Sequence, residues 1–249
     1  MDYSTLFFTA VQAALLAGNI IHNSFNSPFQ VFLKEGENNL VTEVDLAAEK
    51  AIIGTVQSRF PDHAILSEEQ GYTAGTDSPF LWIIDPLDGT FNFAHNVPLF
   101  AVSIAVAYKG ELIVAVVYQP ETNELFTAQK GEGAYLNGKK LSVSKRHNIG
   151  EALLGTDISS QYHRIGNSKG ILRSLGAAVL GLSYVAAGRY DGYWVPGLQP
   201  WDIAAGKLLV EEAGGIVTKL DGKPYADFVP ASLCASNRLL HDAILKGAT

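Results

Sequence analysis

Apolar residues recur along this chain with two different periods, and each period predicts its own elements. Near the start, Phe7, Val11, Ala14 and Ile21 repeat at helical spacing within "LFFTAVQAALLAGNII", which predicts a packed amphipathic helix. A second helix is expected in "LVTEVDLAAEKAIIGTVQSRFPD", with Thr42 as N-cap and Pro61 as the stop. Leu46, Ile53, Val56 and Phe60 lie along its expected packing face. Short apolar runs then take over. "AIL" (64–66) and "FLWII" (80–84) read as strands, and "LFAVSIAVAY" and "ELIVAVVY" as a hairpin around Lys109 and Gly110. "ELFTA" and "GAYLNGKKLSV" add strands, the latter around a turn at Asn137 and Gly138.

From about residue 150 the texture changes. "ALLGT" (152–156), "YDGYWV", "GIVTKL" and "LCAS" read as strands. Between them, "GAAVLGLSYVAAG" (176–188) reads as a helix opening at Gly176. "PWDIAAGKLLVEEAGG" is a helix entered at Pro200 and stopped by Gly214 and Gly215, and a last helix is expected over 238–246. The alternation implies a layered α/β architecture in one unit, with residues 1–148 and 149–249 as two packed halves.

Composition narrows the function classes. With 47% hydrophobic and 17% charged residues, the chain can bury a substantial core. A net charge of −7 argues against a broad nucleic-acid-binding face, so no nucleic-acid partner is expected. The single cysteine, Cys234, rules out an internal disulfide and fits a reducing cytoplasm. No Lys or Arg precedes Lys34, and Gln12 interrupts the first apolar run, so neither a signal peptide nor a membrane span is expected.

The candidate chemistry begins at "LWIIDPLDGTFNF" (81–93). Asp-Pro and Asp-Gly mark turns, which accounts for Pro86 and Gly89 but not for the pair of acids. Two further acidic positions share the setting: Glu68 with Glu69 after a short strand, and Asp202 at a helix start. Acids at strand ends and helix starts converge where open α/β sheets bind ligands. Carboxylates so close would resist ionising together, and divalent cations remove that conflict. An oxygen-only donor set without Cys or His suits Mg²⁺. Glu68, Asp85, Asp88 and Asp202 carry four charges that two Mg²⁺ balance. Two metals about 3.5–4 Å apart can grip a phosphate, activate water and stabilise a leaving oxygen. Pro86 and Gly89 bend the backbone so that the Leu87 carbonyl can face a metal, and Thr90 offers a hydroxyl to orient the water. Amides near Gly89 and Thr90 can receive phosphate oxygens. His95 and Cys234 have no partners at ligand spacing and are read as structural.

"WIIDPLDGTFNF", preceded by "SEEQG" and followed by "PWDIAAG", resembles the inositol monophosphatase family over nearly the whole chain. That family belongs to the Mg²⁺-dependent, lithium-sensitive phosphatase superfamily that includes fructose-1,6-bisphosphatase. The resemblance implies a layered αβαβα sandwich, frequently homodimeric, that hydrolyses a small phosphate monoester such as inositol 1-phosphate or a related polyol phosphate. It implies that Glu68, Asp85 and the Leu87 carbonyl hold a first metal and that Asp85, Asp88 and Asp202 hold a second. Glu69 and Lys34 would lie near a weaker third. Asp45, Thr90 and Glu68 would position and activate the water, and Gly176, Ala177 and Ala178 would line the substrate's alcohol portion, with Asp88, Gly89, Thr90 and Asp202 also against the substrate.

Three departures concern the substrate side. Val195 falls where inositol-specific members carry a glutamate, Ala177 replaces a usual Ser or Thr, and Phe91 follows Thr90 where a second Thr is common. Sugar bisphosphates, NADP(H) and 3′-phosphoadenosine 5′-phosphate therefore stay open as substrates. A phosphatase with a covalent aspartyl-phosphate carries D-x-D-G-T, whereas the acids here are three apart and begin only at residue 85, so that class is rejected. A regulatory or RNA-associated binding protein is the rival from another class, and the complete carboxylate set argues against an inactive enzyme.

Overall fold

The computed structural model describes residues 3–33, 40–73, 78–157 and 170–248. Helix α1 (Ser4–Ser24) is followed by a small hairpin, β1 (Val31–Leu33) with β2 (Leu40–Thr42), and by α2 (Glu43–Arg59). Then come β3 (Ala64–Ser67), β4 (Gly71–Thr73), β5 (Phe80–Asp88) and the short helix α3 (Thr90–Ala94). Strands β6 (Ala101–Tyr108), β7 (Glu111–Gln119), β8 (Glu124–Gln129), β9 (Gly133–Leu136) and β10 (Lys139–Lys140) complete an eight-stranded sheet ordered β10-β9-β8-β7-β6-β5-β3-β4. A second, five-stranded sheet is ordered β12-β11-β13-β15-β14. Its strands are β11 (Leu153–Gly155), β12 (Ile171–Arg173), β13 (Gly192–Leu198), β14 (Ile216–Lys219) and β15 (Ala231–Ser236), interleaved with α4 (Ala178–Ala186) and α5 (Pro200–Glu212) and followed by α6 (His241–Ala248).

The packing follows from strand alternation, because successive side chains point to opposite faces. On β5, Trp82 and Ile84 join the core under α1 and α2, while Ile83 joins the core under α4 and α5. That central core also takes Tyr193 and Val195 from β13 and Leu233 and Ala235 from β15. On the far face of the second sheet, Leu154, Trp194 and Cys234 pack with Leu240 and Ile244 beside α6. The layers therefore run helix, sheet, helix, sheet, helix, which is the αβαβα sandwich expected.

Helix α1 is long and apolar enough by composition to cross a membrane, yet one side of it is core. Leu6, Ala10, Ala13, Ala14, Ala17 and Ile21 are buried, and Phe7 and Val11 of the expected face are only partly so. The expected face of α2 is corrected more sharply. Ile53 and Val56 are buried as expected, but Leu46 is exposed, and the helix also buries Val44, Asp45, Ala48, Glu49 and Ile52. Two acids occupy the face that periodicity assigned to apolar residues. At the candidate site, α5 has Pro200 at its first turn as expected, whereas α4 starts at Ala178 rather than Gly176.

The largest correction concerns residues 85–88. They do not leave the sheet in a turn; β5 continues to Asp88. Asp85 pairs with Ser103 and Asp88 with Ala101, so three steps on β5 match two on β6. This is a β-bulge, and Pro86, which cannot donate to a ladder, sits inside it. In a regular strand, residues three apart face opposite sides. The bulge puts Asp85 and Asp88 on one side.

Candidate active site

Three structural devices gather the acids. The first is the bulge. The second is the parallel pairing of β3 with β5, which sets Ser67 opposite Ile84 and brings Glu68 out beside Asp85. The Glu68 amide donates to the Ile84 carbonyl at 3.2 Å, continuing that ladder one step. The third is the start of α5, where Asp202 occupies the first turn and accepts from the Gln199 amide at 2.8 Å. Ser103, the partner of Asp85 on β6, donates to the Trp201 carbonyl at 3.1 Å and ties that helix start to the sheet. One oxygen from each of Asp85, Asp88 and Asp202 lies within 4.8 Å of the others.

Burial, then repulsion from Glu68, Asp88 and Asp202, raises the Asp85 carboxyl well above its usual range. Asp88 is raised well above its own, first by burial and then by Asp202. Asp202 is pushed up to about 7, again chiefly by burial. Such uncompensated, buried, oxygen-only charge fits a bound divalent cation of the Mg²⁺ type. Asp88 has a further task. Its two oxygens accept the amides of Ala178 at 3.2 Å and Val179 at 2.7 Å, which seats α4 on the end of β5.

Thr90 and Asp45 meet across 45 positions of sequence. Thr90 Oγ1 lies 3.0 Å from Asp45 Oδ1 and 3.0 Å from the Leu87 carbonyl, so one hydroxyl proton is shared between two acceptors. Asp45 is fully buried, and burial raises its carboxyl despite bonds from Thr42 and Thr90. It completes the capping box of α2, accepting the Thr42 amide at 2.9 Å as well as the Thr42 hydroxyl. Gly89 lies between these groups with φ of 94°, and a Cβ there would meet the Leu99 carbonyl at 2.8 Å and Ala177 at 3.2 Å.

The other expected positions fall as follows. Glu69 is half-buried in the turn after β3. Ala177 packs against Gly89 and the Ala178 amide bonds Asp88, while Gly176 just before them lies against the Asn92 side chain. Val195 is buried in the central core on the same face as Tyr193. Phe91 is exposed and stacks on His95. Cys234 is buried beside His241, whose Nδ1 lies 3.7 Å from its sulfur. Lys34 lies outside the described residues.

Sequence reasoning missed three supporting residues. Asn92 Nδ2 donates to the carbonyls of Leu99 at 2.7 Å and Leu175 at 2.8 Å. Asp157 Oδ1 accepts from the Ser174 hydroxyl at 2.8 Å and from the amides of Leu175 at 2.9 Å and Gly176 at 2.8 Å, while its Oδ2 accepts from the Tyr193 hydroxyl. Glu49 is almost completely buried and accepts the Glu69 amide at 2.9 Å. Only Glu49 left a trace in the sequence, a second acid four residues after Asp45 and so on the same helical face.

Fold and site together define a metal-dependent phosphatase of the αβαβα class. The chain belongs to the inositol monophosphatase family, whose model matches residues 2–248. It is 48% identical over 225 residues to Nus factor SuhB of Escherichia coli (strain K12), covering 86% of this chain and 84% of that protein. It is 39% identical to an inositol-1-monophosphatase of Mesorhizobium japonicum, covering 99% and 97%. Among solved structures, a Thermotoga maritima IMPase superposes with a TM-score of 0.89 at 35% identity, covering 98% and 96%. An IMPase/NADP phosphatase complexed with Mg²⁺ and phosphate superposes with a TM-score of 0.83 at 28% identity, covering 93% and 90%.

Proposed function

We propose that the protein is a Mg²⁺-dependent phosphomonoesterase of the inositol-1-monophosphatase type, acting on inositol 1-phosphate or a related polyol phosphate. The observation that carries this reading is the convergence of Asp85, Asp88 and Asp202 within 4.8 Å, beside the Thr90–Asp45 bond. In this reading Glu68, Asp85 and the Leu87 carbonyl would hold one ion, Asp85, Asp88 and Asp202 would hold a second, and Glu69 would lie near a weaker third. Bound Mg²⁺ supplies Lewis-acid polarisation of the phosphoryl group and balances the clustered carboxylates.

The chain's own residues do the rest. Thr90 Oγ1 donates toward Asp45 and keeps a lone pair to accept a proton from the attacking water, and Glu68 would help to position that water. Asp45, buried and raised in pKa, is suited to take up the displaced proton. The water oxygen bonds to phosphorus and the ester P–O bond breaks; one water proton passes by way of Thr90 to Asp45, and the leaving oxygen takes a proton from a solvent water and departs as the alcohol past Gly176, Ala177 and Ala178. Asp88, Gly89, Thr90 and Asp202 border the phosphate. Val195 offers no acceptor for ring hydroxyls, which favours a substrate range wider than inositol phosphates and keeps fructose 1,6-bisphosphate, NADP(H) and 3′-phosphoadenosine 5′-phosphate as alternatives. The relatives named Nus factor favour a second, regulatory role beside hydrolysis. The single cysteine, Cys234, favours a reducing cytoplasm, and the family resemblance favours a homodimer.

The test is a kcat/KM panel with Mg²⁺ over those four substrates, repeated in EDTA and with Asp85→Asn. Hydrolysis should vanish in EDTA and fall about 10³-fold or more in the variant, as expected for loss of a metal clamp. Phosphate release that survives both would sink the proposal. A regulatory role would persist in a catalytically dead variant.

A further inference from the structure

Helix α2 carries two buried acids one helical turn apart, and each grips a different arm of the candidate metal site. Residues i and i+4 share one face of a helix, about 6 Å apart along its axis. Asp45, in the first turn, takes the Thr90 hydroxyl at the end of the β5 arm. Glu49, one turn on, takes the Glu69 amide at 2.9 Å at the end of the β3 arm. The Gln70 amide lies close to the same carboxylate, whereas its other oxygen, Oε1, and the Ser67 hydroxyl make no hydrogen bond among the described residues. Glu49 is 1% exposed, and the two ends of the turn that carries Glu68 are pinned: Glu68 N–H on β5 and Glu69 N–H on α2. A carboxylate in an apolar helix face is costly unless it is hydrogen-bonded, and the amides it satisfies here belong to that turn.

From this geometry we infer that Glu49 is a positioning residue for Mg²⁺, holding the turn 68–70 so that Glu68 faces Asp85 while Asp45 sets Thr90 from the same helix. The inference rests on the reading of Glu68 as a metal ligand. Glu49 makes no contact with substrate in this role. What matters is the reach of its acceptor rather than its charge, because the groups it holds are neutral amides.

Reach and charge are separated by two substitutions. Glu49→Asp keeps the charge and withdraws the acceptor by one methylene. Glu49→Gln keeps the reach and one oxygen acceptor while losing the charge. Isothermal titration of Mg²⁺ into the metal-free full chain should show binding weakened by about tenfold or more in Glu49→Asp, the usual cost of losing a residue that orients a metal ligand. Glu49→Gln should stay within about threefold of the unsubstituted protein, less than 1 kcal/mol. At saturating Mg²⁺ the KM for the phosphate monoester should be unchanged in both. Equal affinities in all three proteins, or a greater loss in Glu49→Gln than in Glu49→Asp, would overturn the inference. If Glu49→Asp does not fold, Glu49→Gln decides alone: affinity within that threefold limit supports the inference and a larger loss overturns it. Glu68→Gln is titrated in parallel. If it binds Mg²⁺ as well as the unsubstituted protein, the metal-ligand reading has failed, and Glu49 is not needed to explain the result.

Discussion

The eight-stranded sheet and the region after residue 150 both border the carboxylates, and they contribute in opposite ways. The sheet supplies side-chain chemistry: Glu68 after β3 and Asp85 and Asp88 on β5, aligned by strand pairing and one bulge. The later region supplies one acid, Asp202, and otherwise offers small residues and backbone, with Ala177 against Gly89 and the Ala178 amide on Asp88. The lesson concerns tolerance. A metal ligand is defined by its own atoms, so its identity is constrained directly. A lining segment is defined by what holds it, and here that is Asn92, Asp157 and Asp88.

Asp88 is where the two contributions meet, and substituting it gives the largest expected effect. Asp88→Asn removes a metal ligand and weakens the seat of α4 at once, so kcat/KM should fall about 10³-fold or more at saturating Mg²⁺. A loss of less than about tenfold would break the comparison by showing that Asp88 serves α4 alone.

An intermediate effect is expected in stability. In the metal-free protein Asp202 rises from 3.8 to about 7, and Asp85 and Asp88 are raised as well. A carboxyl raised above its unfolded value binds more protons in the folded state, so stability falls as pH climbs between the two values. The destabilisation is absent below about pH 4 and complete above about pH 7 for Asp202. Melting in EDTA should therefore occur at lower temperature as pH rises through that window. Mg²⁺ needs the ionised carboxylates, so the rise in melting temperature that it produces should grow over the same window. A Mg²⁺ effect that is flat with pH would show that the cluster is not the binding site.

The smallest effect tests the later region by itself. Tyr193 fills the space above Gly181, where a Cβ would lie 2.4 Å from its ring, and its hydroxyl holds Asp157. Tyr193→Phe should keep the packing, cost about 1 kcal/mol for the lost hydrogen bond, and raise KM a few-fold with kcat nearly unchanged. An equal fall in kcat would mean that the segment 174–176 also shapes the metal half, and the division drawn above would need redrawing.

Much of the site was legible because its chemistry is local. Asp85, Asp88, Thr90 and Asp202 lie in short motifs at the ends of apolar runs, and Glu68 follows a strand whose pattern is plain. Helix starts at Thr42 and Pro200 were legible for the same reason, since caps are satisfied within four residues. Leu46 was misplaced because periodicity counts apolar residues and cannot know that Asp45 and Glu49 will have buried partners. Asn92 in the short helix α3 and Asp157 in a loop were invisible because lone polar residues are common in such places and their partners lie far away in sequence.

The sequence by itself determined most of the longer strands, the helix starts at Thr42 and Pro200, the oxygen-only donor set and the family, all of which depend on residue identity and near neighbours. Tertiary structure decided which acids share a face. The bulge at Pro86 turned a spacing of three into a shared side, parallel pairing brought Glu68 to Asp85, and α2 gave two buried acids something to hold. These depend on which strands pair and in what register, and register is set by the whole packed core rather than by any short stretch of chain.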